Sequence, residues 1–244
     1  MAGRDLMVVA ETGTGKTAAF LLPIINKLIY SIGDTRVYPA TPQVLIITPT
    51  TLEALQIYNE IKKFTKGSSI IAHWWLMENN VFHILIVTPR MLMDHAKKCT
   101  VKFSRLKFLV LDEADTVIDL LEYGHGLLAW IEETMLNSNG RQTLMFSTRF
   151  SDNNQVLAQE YYLKDYLFLG VGILNIKDSD LSIKELRQRR ARQVIRDDNM
   201  SNNIKYTHWF DESGLKPSLL RDLTVAGYAI PTVIHSFFFI RTIL

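Results

Sequence analysis

The chain has 244 residues, with 27 Lys+Arg against 25 Asp+Glu, a net charge of +2 and 48% hydrophobic residues, which excludes disorder as its overall state. A single cysteine, Cys99, excludes an intrachain disulfide, and no Cys/His cluster has zinc-site spacing. The start of the chain lacks a signal-peptide core and no apolar run reaches the roughly 18 residues of a membrane span, so a cytoplasmic or nuclear protein with no membrane partner is expected.

In chain order, five short runs of aliphatic residues predict buried strands: Leu6 to Ala10, Val44 to Thr48, Ile84 to Thr88, Phe108 to Asp112 and Gln142 to Phe146. Each leads through turn residues toward a segment that can be helical, and these include Thr17 to Ser31, Thr51 to Thr65, Met91 to Lys97 and Asn153 to Tyr161. Right-handed crossovers place such helices on both faces of a parallel sheet, so the class is α/β. Farther on, Ile183 to Arg196 is dense in charge and reads as a solvated helix, although its five arginines also suit nucleic-acid phosphates. The stretch from Ser213 regains helical patterning at Leu215, Leu219, Leu220 and Leu223.

Two motifs carry chemistry. Ala10-Glu11-Thr12-Gly13-Thr14-Gly15-Lys16-Thr17 joins a strand to a helix and is close to the G-x-x-x-x-G-K-[ST] phosphate loop, with Ala10 in place of the first Gly. Its glycines let backbone N–H groups curl around phosphate oxygens, Lys16 neutralises β/γ charge, and the Thr17 hydroxyl suits Mg²⁺. The second motif is Asp112-Glu113-Ala114-Asp115 at the carboxyl end of a buried strand, where ligands bind in open α/β sheets. There Asp112 suits a metal-holding role and Glu113 suits the polarisation of an attacking water.

These residues resemble the DEAD-box ATP-dependent RNA helicases. Further matches follow in family order: Gly3-Arg4-Asp5 before the phosphate loop, Pro49-Thr50 with Gln56 and Glu60, Thr88-Pro89 with Leu92, and Gln142-Thr143-Leu144-Met145-Phe146-Ser147. The resemblance implies a RecA-like, phosphate-loop three-layer sandwich with a mostly parallel central sheet, ATP and Mg²⁺ as cofactors, and RNA, single-stranded or duplex, as partner. It implies catalytic roles for Lys16, Asp112, Glu113 and Ser147, and metal binding by Thr17 and Asp112. Nucleotide contact is implied for Thr12, Gly13, Thr14, Gly15, Lys16 and Thr17, and RNA contact for Pro49, Thr50, Thr88, Pro89 and Arg90.

The tail from Trp209 to His235 resembles the segment that precedes the phosphate loop in this family and carries its Q motif. Either the domain is circularly permuted or the order is rearranged and the tail packs elsewhere; adjacent termini make the first physically tolerable. The implied organisation is a core at 1–175, a charged linker or extension at 176–208 and a Q-motif-like segment at 209–244 that packs back on the same domain. Phe210 would stack on the base or simply pack in the core, and His235 stands where the family has an adenine-reading Gln.

Departures from the family pattern affect RNA contact and coupling. Thr51 replaces an Arg, Arg90 is displaced by one position, about 100° around a helix, and Ser147-Thr148-Arg149 replaces Ser-Ala-Thr. His73-Trp74-Trp75 is either a base-stacking platform or a buried aromatic cluster. The implied arginine finger belongs to a second RecA-like domain, which a protein partner would supply. Two functions remain open: an ATP-hydrolysing helicase domain of low intrinsic activity, or a non-catalytic scaffold.

Overall fold

The computed structural model describes residues 4–30, 39–74, 81–98, 101–122, 140–149, 166–171, 194–195, 213–228, 231–232 and 234–235. Within them the elements are β1 (Asp5–Ala10), α1 (Lys16–Tyr30), β2 (Val44–Ile47), α2 (Thr51–Phe64), β3 (Ala72–His73), β4 (Ile84–Val87) and α3 (Pro89–Lys98). They continue as β5 (Phe108–Asp112), α4 (Ala114–Glu122), β6 (Gln142–Ser147), β7 (Tyr166–Val171), β8 (Val194–Ile195) and α5 (Pro217–Val225).

The strands form one sheet in the order β3-β4-β2-β5-β6-β1-β7-β8, and every described pairing within it is parallel. Alternation along each strand divides the core in two. Leu6, Val8, Val44, Ile46, Val110, Leu144 and Phe146 pack under α1, α2 and α5, where Phe20, Ile57, Ile61, Leu219 and Leu223 meet them. On the opposite face Met7, Leu45, Ile47, Leu109, Leu111 and Met145 pack with Leu92 of α3 and with Ala114, Val117 and Ile118 of α4. Helices therefore cover both faces, which is the three-layer α/β arrangement expected from the sequence.

Each of the five expected strands forms, with boundaries shifted by at most one residue. Three strands were not anticipated. β7 pairs with β1 along its full length, from Asp5↔Tyr166 to Ala10↔Val171. β3 and β8 have two residues each, too short to show a period. β8 also corrects the reading of Ile183 to Arg196 as a helix throughout, because Val194 and Ile195 pair in parallel with Phe168 and Leu169. The expected helix at Asn153 to Tyr161 lies outside the described residues, as do Trp75 and the arginines at 187 to 192.

The tail packs on the core at several points. Leu215, Leu219, Leu223 and Ile234 are buried in the same cluster as α1 and α2. The Lys216 N–H donates to Asn26 Oδ1 at 2.9 Å, and its ammonium lies 4.3 Å from the Tyr30 ring centroid. The Tyr228 hydroxyl donates to Glu60 Oε2 at 3.1 Å, while its ring meets Phe64 edge-on at 5.4 Å.

Candidate nucleotide site

Because every strand runs the same way, the carboxyl ends of β1, β2, β4, β5 and β6 lie along one edge of the sheet. β6 lies between β1 and β5, with Val9 opposite Ser147 and Asp112 opposite Phe146. That register brings the phosphate loop after β1, the acidic motif after β5 and Ser147 at the end of β6 to adjacent positions. It is the edge where open parallel sheets bind ligands.

The loop turns through Gly13 at φ +84° and Gly15 at φ +89°, a region that side chains strongly disfavour. At Gly15 a Cβ would also lie 3.1 Å from the His235 ring and 3.2 Å from Thr232 Oγ1. Lys16 is buried, and its ammonium donates to Ala10 O at 2.8 Å and Glu11 O at 3.2 Å. The charge is thus held over the loop. Thr17 follows at the start of α1, whose positive dipole end adds to the same field.

Asp112 ends β5 almost fully buried, and burial followed by the nearby Glu113 pushes its carboxyl up to about 7. Burial also raises Glu113, while the positive Lys16 opposes the shift. Glu113 adopts φ +51° between β5 and α4. For a residue with a Cβ this left-handed conformation costs about 1–2 kcal/mol, a strain that recurs at functional sites. Among the described residues no group of three or more His, Cys, Asp or Glu side chains forms a metal cage. One carboxylate at Asp112 and one hydroxyl at Thr17 instead suit Mg²⁺, which takes few protein ligands and completes its shell with water and phosphate oxygens.

The tail reaches this loop directly. The Thr232 hydroxyl donates to Thr14 O at 3.0 Å, and the Thr232 N–H donates to His235 Nδ1, also at 3.0 Å. Since Nδ1 accepts, the ring proton resides on Nε2, which donates to Gly15 O at 3.1 Å. Burial holds His235 neutral, lowering its pKa to about 4 despite the bond to Gly15. An unfolded chain protonates this histidine below about 6.5, whereas the folded one does so only near 4. Its contribution to stability is therefore complete above pH 6.5 and is lost as pH falls toward 4. Between pH 6.5 and 5 the wild type should lose about 2 kcal/mol more than His235→Gln in urea unfolding; parallel pH profiles would contradict this.

Other expected residues are placed differently. Ser147, given a catalytic role by the family resemblance, donates its hydroxyl to Arg149 O and accepts from the Arg149 N–H at 3.2 Å. The side chain is turned into its own loop. Thr50 caps α2 in a reciprocal box with Glu53: the Thr50 N–H and hydroxyl donate to Glu53 Oε2 at 3.0 and 2.9 Å. Thr88 is buried, and its hydroxyl accepts the Met91 N–H at 3.3 Å at the start of α3. Pro49 and Pro89 flank these caps, Thr12 is exposed on the loop, and Arg90 points to solvent. Trp74 packs partly buried against the core, and Phe210 lies outside the described residues. Sequence reasoning missed Glu53 and Thr232. The Thr50-x-x-Glu53 spacing is a capping-box signature that exposes the first; the second had no local signal.

A strand, glycine loop and helix bearing Lys16, separated by one strand from another that ends in the buried Asp112 and the half-buried Glu113, define a phosphate-loop nucleotide-binding domain of the RecA-like class. Residues 1–156 match the DEAD/DEAH box helicase family, and the chain belongs to that family. It is 37% identical over 192 residues to the ATP-dependent RNA helicase vasa of Drosophila melanogaster, a match covering 73% of this chain and 28% of the relative. It is 38% identical over 185 residues to the probable ATP-dependent RNA helicase DDX4 of Homo sapiens, covering 70% and 25%. Among solved structures, the yeast DEAD-box splicing factor Prp28 aligns with a TM-score of 0.54 and 27% identity over 65% of this chain and 40% of that one. The chain thus spans about a quarter of the length of the curated relatives it matches.

Proposed function

We propose that this chain is the ATP-binding RecA-like domain of a DEAD-box RNA helicase and hydrolyses ATP with Mg²⁺. The observation that supports the reading is the placement of the loop after β1 and the acidic motif after β5 on either side of β6, with the Lys16 charge acting on both Asp112 and Glu113. The loop N–H groups and the Lys16 ammonium bind the β- and γ-phosphates, and Asp112 with Thr17 holds the metal. When bound there, Mg²⁺ would supply neutralisation of the charge that develops on the leaving group. Glu113 accepts the hydrogen bond of the attacking water. Its raised pKa brings it toward working pH, where a general base is most effective.

RNA binds along the ends of the neighbouring strands β2 and β4, past Pro49, Thr50, Thr88, Pro89 and Arg90. That contact is weakened because Glu53 already takes the Thr50 donors. A second RecA-like domain, in a partner or elsewhere in a longer chain, supplies the arginine finger, which is worth about 10³ to 10⁵ in rate. Residues 1–175 form the core, 176–208 a charged extension that adds β8 beside β7, and 209–244 restore the family domain by circular permutation. The contacts of Lys216, Tyr228, Thr232 and His235 with the core support that arrangement. A scaffold without turnover is favoured by one observation, the engagement of Ser147 by Arg149. The two readings are separated by the turnover of wild type and Glu113→Gln.

A further inference from the structure

We propose that Glu53 is a built-in competitor for RNA phosphate: its carboxylate holds the hydrogen-bond donors at the end of β2, so RNA engages this part of the edge only by displacing it. The inference rests on the proposed RNA path past Thr50 and names what regulates it. A phosphate is recognised at such a place by N–H and hydroxyl donors that meet an anionic oxygen. Here the chain itself supplies the anionic oxygen. Glu53 Oε2 accepts the Thr50 N–H at 3.0 Å, the Thr50 hydroxyl at 2.9 Å and the hydroxyl of the fully buried Thr48 at 3.4 Å. A backbone amide and a hydroxyl have one proton each, so all three donors are engaged by a single atom.

The carboxylate that does this has no cation against it. Among the described residues no lysine or arginine forms an ion pair with Glu53, whereas Lys63 pairs with Glu60 farther along α2. β2 is paired with β5, and the Glu53 charge adds to the upward shifts that burial first imposes on Asp112 and Glu113. Of Pro49, Thr50, Thr88, Pro89 and Arg90, only Arg90 is positive, and Glu53 offsets it. Affinity for nucleic acid comes largely from cations that displace counterions from phosphates, so a carboxylate in the path weakens binding whatever the sequence. Glu53 is half-buried in the first turn of α2, and its second oxygen accepts no hydrogen bond among the described residues. The side chain can therefore swing into solvent without leaving a buried charge. As a helix cap alone, Glu53 would support the Thr50 turn, and its removal would weaken RNA binding; as a competitor, its removal strengthens it.

The test is a fluorescence-anisotropy titration of labelled single-stranded oligouridylate with the full chain, Mg²⁺ and a non-hydrolysable ATP analogue, repeated across a range of salt concentrations. Glu53→Ala is expected to bind about tenfold tighter than the wild type. Its plot of log K against log salt should steepen by about 0.7, the value of one further phosphate contact on a single strand. Glu53→Gln, whose amide oxygen can keep the cap while the charge is lost, should gain about threefold. Thr50→Val added to Glu53→Ala should cancel the gain. Asp222→Asn, which removes a carboxylate on α5, should bind as the wild type does. Glu53→Ala binding RNA within about twofold of the wild type, or more weakly, in protein of unchanged circular dichroism would overturn the inference and leave the RNA path standing. An equal gain in Asp222→Asn would reduce the effect to net charge and overturn it as well. Where loss of the cap unfolds Glu53→Ala, the sign of the Glu53→Gln effect decides. RNA bound by neither the wild type nor any variant would instead remove the RNA path itself, and the competitor with it.

Discussion

Lys16→Ala is expected to weaken Mg-ATP binding by about 10²-fold or more. Removing one member of a desolvated, hydrogen-bonded charge pair costs about 2–5 kcal/mol, and each 1.4 kcal/mol is a factor of ten. Lys16 is buried at the end of β1, its ammonium held over the loop by Ala10 O and Glu11 O. No other described lysine or arginine follows the loop into α1's first turn. The change deletes the charge while retaining the glycine geometry, so the loss should appear in affinity and not in the fold. Calorimetric titration of both proteins checks it, with thermal melts as the control. Equal affinities would mean that the phosphates lie elsewhere.

The second large effect concerns the tail. Leu219 and Leu223 of α5 are 0% and 1% exposed and share a core cluster with Phe20, Ile57, Ile61 and Phe64. A buried Leu→Ala change costs about 2–5 kcal/mol, through lost transfer energy and the cavity left behind. Leu219→Ala with Leu223→Ala should therefore remove about 4–8 kcal/mol, with some departure from additivity between neighbours. Domains of this kind have only about 5–15 kcal/mol in total, so the double variant should lie at the edge of unfolding in urea. A change below about 1 kcal/mol would show that α5 is not part of this core, and the permuted arrangement would fall with it.

Much of this fold was legible because fully buried parallel strands leave a plain trace. Val44-Leu45-Ile46-Ile47 and Phe108-Leu109-Val110-Leu111 are continuous aliphatic runs with packing on both faces. The phosphate loop and the acidic motif were legible for a related reason: glycines at positive φ and carboxylates at a strand end are forced by local chemistry. β7 went unread despite its apolar Tyr166-Leu167-Phe168-Leu169, since only its pairing with β1 gives the run a place in the sheet. β8 is two residues beside a dense arginine stretch, and its strand character comes from the partner strand alone.

The finer features of the site depend on contacts between residues distant in the chain. Nothing near His235 in the sequence indicates that its ring will take up Gly15 O, 220 positions away. Its place in the Q-motif-like segment pointed to the base; the geometry shows both ring nitrogens bonded to backbone. The φ of +51° at Glu113 is likewise invisible, because glutamate has no preference for that region and only the β5 to α4 junction imposes it. Ser147 shows the converse. Its position at the end of β6 followed from the motif, but the direction of its hydroxyl is set by Arg149.

The central claim is that the carboxylate after β5 works on a water attacking a nucleotide held after β1. It is tested most directly by the steady-state ATP turnover of wild type and Glu113→Gln, with and without Mg²⁺ and single-stranded RNA, alongside the ATP affinity of each. The account predicts slow, Mg²⁺-dependent turnover in the wild type, a fall of about 10²- to 10⁴-fold in Glu113→Gln, and ATP affinity retained. Equal turnover by the two proteins, or ATP bound by the wild type and never hydrolysed under any of these conditions, would contradict it.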